Sequence, residues 1–179
     1  MNSLALPTFV SGKLYLVSAP RSTGRALINE FIAHLALVSP VTVLDGGGSS
    51  IDPLYIARLL RRQVPAYLPL LERVQIARAF TCHELVTLLE SEASGQAPVV
   101  ILDFLSLLDD ENLSTIERQT VFLRLVRRLV VLDQNQPVLL WARPPVLPHT
   151  QELARQLVKL ADEVFSFQAP TQLEQARLF

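Results

Sequence analysis

Between an apolar run that ends at Ala19 and an apolar-periodic segment that begins at Leu27 lies Ala19-Pro20-Arg21-Ser22-Thr23-Gly24-Arg25-Ala26. This is the position of a phosphate loop. A working loop reads G-x-x-x-x-G-K-[ST], because glycines let backbone N–H groups curl around phosphate, the lysine reaches the outer phosphates and a hydroxyl ligates magnesium. Gly24 matches the second glycine, whereas Ala19 stands for the first, Arg25 for the lysine and Ala26 for the hydroxyl. An alanine has no oxygen to offer a metal. Arg21 and Arg25 beside the positive end of a helix can still hold an anion, which makes Pro20, Arg21, Ser22, Thr23, Gly24, Arg25 and Ala26 candidate nucleotide- or phosphate-binding residues. An ordinary strand-to-helix turn is the competing reading.

Two arginine trios form a second kind of candidate. Arg58, Arg61 and Arg62 share one helix face, as do Arg124, Arg127 and Arg128, since i, i+3 and i+4 lie together. Each trio is a candidate DNA or partner surface, weighed against a solvated face near a helix C-terminus. Cys82 and His83 lack a clear third ligand, so no metal site is expected. Trp141 reads as core, and the glycines at 46–48 as a flexible turn.

The elements that must carry these residues alternate from Leu14 onward. Short Val/Ile/Leu runs at Leu14–Ala19, Val41–Asp45, Val74–Ala79, Val99–Asp103, Val138–Ala142 and Val164–Phe167 read as strands. Most are apolar on both faces, as in a parallel sheet covered by helices on both sides. Leu27, Ile28, Phe31, Ile32 and Leu35 trace one helix face, and Phe122, Val126, Leu129 and Val130 another. Further helices are expected over about 51–62, 81–91 and 149–161, with a proline-rich loop from Pro144 to Pro148. In such a sheet ligands sit at the carboxyl ends of the strands, which is where the candidate loop falls.

Bulk properties narrow the classes. With 179 residues, half of them hydrophobic, the chain fits a single domain over 1–179 with no separate accessory domain. Sixteen basic and seventeen acidic residues give a net charge of -1, so any nucleic-acid contact must be local rather than global. A lone cysteine and no leader-like opening point to a reducing, cytoplasmic compartment, and no apolar run approaches the roughly 20 residues of a membrane span.

The strand-end segments together resemble the ATPase core of the RecA/RadA-type recombinases, over about Gly12 to Arg143. The most specific piece is Leu71-Glu72-Arg73-Val74-Gln75-Ile76-Ala77-Arg78-Ala79-Phe80-Thr81, followed by His83 to Leu89, similar to the pattern in which a strand ending A-R-A-[FY] enters a helix ending in paired leucines. Val43-Leu44-Asp45-Gly46-Gly47-Gly48 resembles the family's strand ending D-T-E-G. Val99 to Asp103 looks like a Walker B strand, Glu117 through Leu132 like the family's long helix, and Pro137 to Arg143 like its nucleotide-sensing strand. The resemblance implies a three-layer RecA-like P-loop NTPase fold of α/β class with a mostly parallel central sheet and helices on both faces. It adds Asp103 and Arg143 to the candidate nucleotide site.

The departures also carry meaning. The family's water-polarising glutamate is matched by Gly47, and its sensing Asn-Gln by Ala142-Arg143. Losing a general base typically costs about 10² to 10⁴ in rate, and the lost lysine and hydroxyl add to that. The segments matching the two DNA-binding loops are short: Asp109-Asp110-Glu111-Asn112 is acidic, and Pro144 to Pro148 is uncharged. The expectation is a degenerate ATPase: a non-catalytic partner or regulator in DNA recombination and repair, in a homo- or hetero-oligomer with a RecA-like protein. The alternatives are a switch that binds ATP or ADP with little or no hydrolysis and no dedicated magnesium ligand at Ala26, and an accessory DNA-binding protein.

Overall fold

The computed structural model describes residues 9–47, 50–91 and 97–168. In chain order the elements are β1 (Leu14–Ser18), α1 (Arg21–Val38), β2 (Val41–Gly46), α2 (Pro53–Gln63), α3 (Leu68–Leu71), β3 (Val74–Ala79) and α4 (Cys82–Ser91). They are followed by β4 (Val99–Leu102), α5 (Phe104–Leu107), α6 (Thr115–Asp133), β5 (Val138–Ala142), α7 (Pro148–Leu160) and β6 (Glu163–Ser166). The strands form one six-stranded sheet in the order β3-β2-β4-β5-β1-β6, with every neighbouring pair parallel.

Strand alternation sorts the core into two halves. Leu14, Leu16, Leu44, Ile101 and Leu140 face a cluster with Leu85 of α4, Phe122 and Leu129 of α6 and Leu157 of α7. Their neighbours Tyr15, Val17, Val43, Val100 and Trp141 face Ile28, Phe31 and Ile32 of α1 and Ile56 and Leu60 of α2. Burial on both faces explains why the four central strands read as largely apolar runs, while the edge strands β3 and β6 are half-exposed. The result is α/β and three-layered, consistent with a RecA-like arrangement; the sheet is wholly parallel rather than mostly so among the described residues.

Most helix starts follow their sequence signals. Asp52 Oδ1 accepts from Tyr55 N at 3.0 Å ahead of Pro53 at the first position of α2. Ser114 Oγ accepts from Glu117 N at 3.2 Å at the start of α6. A reciprocal box precedes α4, where Glu84 N donates to Thr81 Oγ1 and Thr81 N to Glu84 Oε2, at 3.1 and 3.2 Å. Pro20, ahead of α1, makes no side-chain cap. The four-residue helices α3 and α5 were not expected, because a single turn is too short to show apolar periodicity.

The far end of α6 is electrostatically unfavourable. Asp133 places a carboxylate on the last helical residue, and burial, reinforced by Asp162, raises its pKa. The native state therefore takes up this proton first as pH falls; the penalty is present near neutrality and gone below the ordinary carboxyl range. Asp133→Asn is expected to stabilise the protein by about 0.5 kcal/mol near pH 7. Urea unfolding at neutral pH and again near pH 3 checks this, the second pair of curves coinciding.

Candidate nucleotide cleft

The segment expected to loop around phosphate is helical. α1 begins at Arg21, directly after Pro20, and Gly24 N donates to Pro20 O at 2.7 Å as part of the first turn. The expected loop over 19–26 is thereby corrected to a two-residue turn followed by helix. Phosphate cradling needs successive N–H groups pointing into one concavity, whereas the Gly24 N–H is spent on the helix. Gly24 itself has a packing reason: a Cβ there would lie 3.2 Å from the Trp141 ring and 3.2 Å from Ala19 Cβ. Trp141 is buried beneath the turn. Ser22, Arg25 and Ala26 are exposed, and the side chains of Arg21 and Thr23 lie outside the described residues.

Arg25 faces Asp52, the cap of α2, at 3.6 Å, a half-exposed pair worth at most about 1 kcal/mol. Behind it, Asn29 is fully buried and joins three segments. Its Nδ2 donates to Arg25 O at 2.6 Å and to Ser50 O at 2.9 Å, and its Oδ1 accepts from Asp52 N at 2.7 Å. Sequence reading did not single out Asn29 or Ser50. The available signal was an amide beside Ile28 on a helix face that is otherwise apolar, a local conflict that demands partners.

Asp103 follows β4 and is almost completely buried. Its two oxygens are engaged by the protein itself: Arg143 Nε donates to Oδ1 at 3.2 Å and Ser50 Oγ to Oδ2 at 2.5 Å. Its backbone is left-handed, with φ 52°, and its carbonyl accepts from Ser106 Oγ at 2.6 Å. The sequence-predicted Asp103 and Arg143 therefore meet, as an ion pair closed by a serine. Beside them lies a cavity of about 190 Å³ bordered by Ser106, Asp109, Pro144 and Val146.

The position that resembles the family's water-polarising glutamate is exposed but conformationally restricted: Gly47 has φ 74°, and a Cβ there would meet the end of the Leu107 side chain at 3.0 Å. Placing a glutamate there would cost left-handed strain and a small shift of Leu107. The preceding Asp45 is fully buried; its Oδ2 accepts from Arg78 Nε at 3.0 Å, while Oδ1 has no hydrogen-bond partner.

The two arginine trios have different fates. Arg124 Nη2 reaches Glu90 Oε1 at 2.7 Å and Arg128 Nε donates to Leu89 O at 2.8 Å, both on α4. On the expected α6 surface two of the three guanidinium groups also tie helices together, while Arg127 is exposed and among the described residues makes no ion pair or hydrogen bond. Arg58, Arg61 and Arg62 are all exposed, and among the described residues none makes an ion pair or hydrogen bond. A further arginine went unnoticed in the sequence. Arg118, 9% exposed, donates to Leu108 O, Asp110 O and Leu113 O at 2.6, 3.1 and 3.2 Å and so fixes the loop after α5.

Cys82 is buried, and burial pushes its thiol up. His83 turns outward to Glu117 Oε1 at 3.1 Å. Among the described residues no group of three or more His, Cys, Asp or Glu side chains could hold a metal ion.

Fold and cleft together define an α/β domain of RecA-like layering whose strand-end positions are occupied by its own side chains. No protein-family model matches the chain, and no curated protein matches it either.

Proposed function

We propose that this chain is a non-catalytic RecA-like domain, a pseudo-ATPase that acts as an interaction partner or regulator in DNA recombination and repair. The observation that carries this reading is the closed triad Arg143–Asp103–Ser50, in which the carboxylate that resembles a Walker B aspartate already has both oxygens in use. Ala26 offers no metal ligand, and Gly47 no base. What such a domain retains is surface. α6 turns Ile116, Leu123 and Val130 outward a heptad apart, with Val131 beside them, and large apolar side chains at that spacing suit a partner helix.

The partner is a second copy of the chain or a RecA-like protein, in the cytoplasm. No helix among the described residues is long and apolar enough to cross a membrane. Size-exclusion chromatography with light scattering, on the chain alone and mixed with RecA-like recombinases, tests the proposal. A stable assembly that weakens with Leu123→Glu is the expected outcome; a strict monomer with every candidate counts against it. The nucleotide-switch reading has less support, since the phosphate-loop segment is helical.

A further inference from the structure

Eight of the twelve arginines whose side chains are described have a partner within the protein. Arg73, Arg118 and Arg128 donate to backbone carbonyls, while Arg25, Arg78, Arg124, Arg143 and Arg155 meet carboxylates. The exceptions are Arg127 and the three arginines of α2. α2 has no acidic residue within its bounds to offset them. Like charges at i, i+3 and i+4 repel on a helix. The macrodipole compensates Arg61 and Arg62 in the last turn, but its effect fades within that turn and Arg58 lies one turn earlier.

From this concentration of unneutralised guanidinium groups we infer that the exposed face of α2 formed by Arg58, Arg61 and Arg62 binds the phosphate backbone of duplex DNA without reading sequence. Rigid helical spacing places the three side chains about 5–6 Å apart at Cβ, close enough for their forks to span consecutive phosphates of one strand. No exposed aromatic side chain stands on α2 to stack an unpaired base: Tyr55 is half-buried, with its hydroxyl donating to Glu30. That favours a duplex over a single strand. Leu54, 70% exposed one turn before Arg58 on the same face, is an apolar side chain on which an acidic protein could anchor, so that partner is the competing outcome of the test.

The location is separate from the cleft. α2 leaves the carboxyl end of β2 and returns toward the start of β3, so Arg61 and Arg62 in its last turn lie toward the strand starts, away from Asp103 and the proline-rich loop, with Arg58 midway along the helix. Contact there is independent of nucleotide and of the short acidic and uncharged loops at the other end. The inference adds a ligand to the proposed recombination role but does not depend on assembly with a RecA-like partner.

The test is fluorescence anisotropy with a short labelled duplex of mixed sequence, titrated at several salt concentrations. Three phosphate contacts predict a log–log salt slope of about -2.7, equivalent to roughly a 40-fold loss between 50 and 200 mM salt. R58A/R61A/R62A should weaken binding about tenfold or more at low salt, R58K/R61K/R62K should restore it to within about threefold, and Arg127→Ala should leave it unchanged. Absence of wild-type binding at low salt overturns the inference. So does a triple-alanine variant that binds like the wild type, or a poly-glutamate peptide that binds α2 while the duplex is ignored. Since these side chains are exposed, thermal melting should show every variant folded. Running the triple-alanine variant through the assembly assay separates this inference from the proposed function: assembly retained with DNA binding lost supports both.

Discussion

Gly46→Ala is expected to destabilise the protein by about 3 kcal/mol, although a methyl group at the end of a strand is ordinarily harmless. A Cβ at this position would stand 2.6 Å from Leu102 O, 3.1 Å from Phe104 Cα and 3.2 Å from the Asp103 carbonyl carbon. All three are backbone atoms, so no side chain can rotate away. Relief would require β2 to separate from β4 at the point where Asp45 pairs with Leu102 and the chain turns into Asp103. For a protein of this size the loss corresponds to roughly 6–12 °C in Tm. Gly12→Ala is the contrasting variant: its φ of 78° strains an alanine but nothing lies within 4 Å, so only about 1 kcal/mol of strain should appear, whereas Gly46 has no positive φ and meets the clash alone. Thermal unfolding of the two variants side by side checks the difference.

The second large effect concerns Asp103. In a working ATPase this aspartate serves the metal, and its removal abolishes turnover while the fold survives. Here its removal should act on the fold. Asp103→Ala deprives Arg143 Nε and the buried Ser50 hydroxyl of their acceptor and puts an alanine into a left-handed backbone. Breaking a buried charged pair costs about 3–5 kcal/mol, and because Arg143 is 36% exposed and can turn to water, about 2–4 kcal/mol is expected. Asp103→Asn keeps a residue that tolerates the left-handed region and can still accept one hydrogen bond, so its cost should be about half. Urea denaturation of the two variants measures both terms. An Asp103→Ala protein as stable as the wild type would mean that the triad holds nothing in place.

Much of this was legible before any coordinates. The four central strands are legible to within a residue because burial on both faces leaves a largely apolar run, as in Val99–Leu102, whereas the edge strands β3 and β6 are half-exposed and read from shorter apolar runs. The family resemblance names the arginine at 143 and the aspartate at 103, and parallel topology delivers their strand ends to one edge of the sheet. Their direct pairing follows from neither, because it depends on the sheet order that sets β5 beside β4. The start of α1 was misplaced for a related reason. Pro20 suits either a loop or a helix cap, and what decides between them is tertiary: Gly24 packs against Trp141 from a strand more than a hundred residues away. The arginine trios show the same limit. Both have one spacing in sequence, and only the neighbour differs, with α4 lying against α6 to accept from Arg124 and Arg128 while α2 has no such acceptor. Gly46 looked like freedom in a flexible turn and is a constraint imposed by the next strand's backbone.

The central claim is that the cleft is closed by its own side chains and moves no phosphoryl group. Release of inorganic phosphate from ATP by the purified chain, with and without magnesium, tests it most directly. The account predicts release equal to the buffer blank in both cases, and identical for Asp103→Asn. Magnesium-dependent release that Asp103→Asn eliminates would contradict it, because the carboxylate would then have to leave Arg143 and Ser50 to serve a metal.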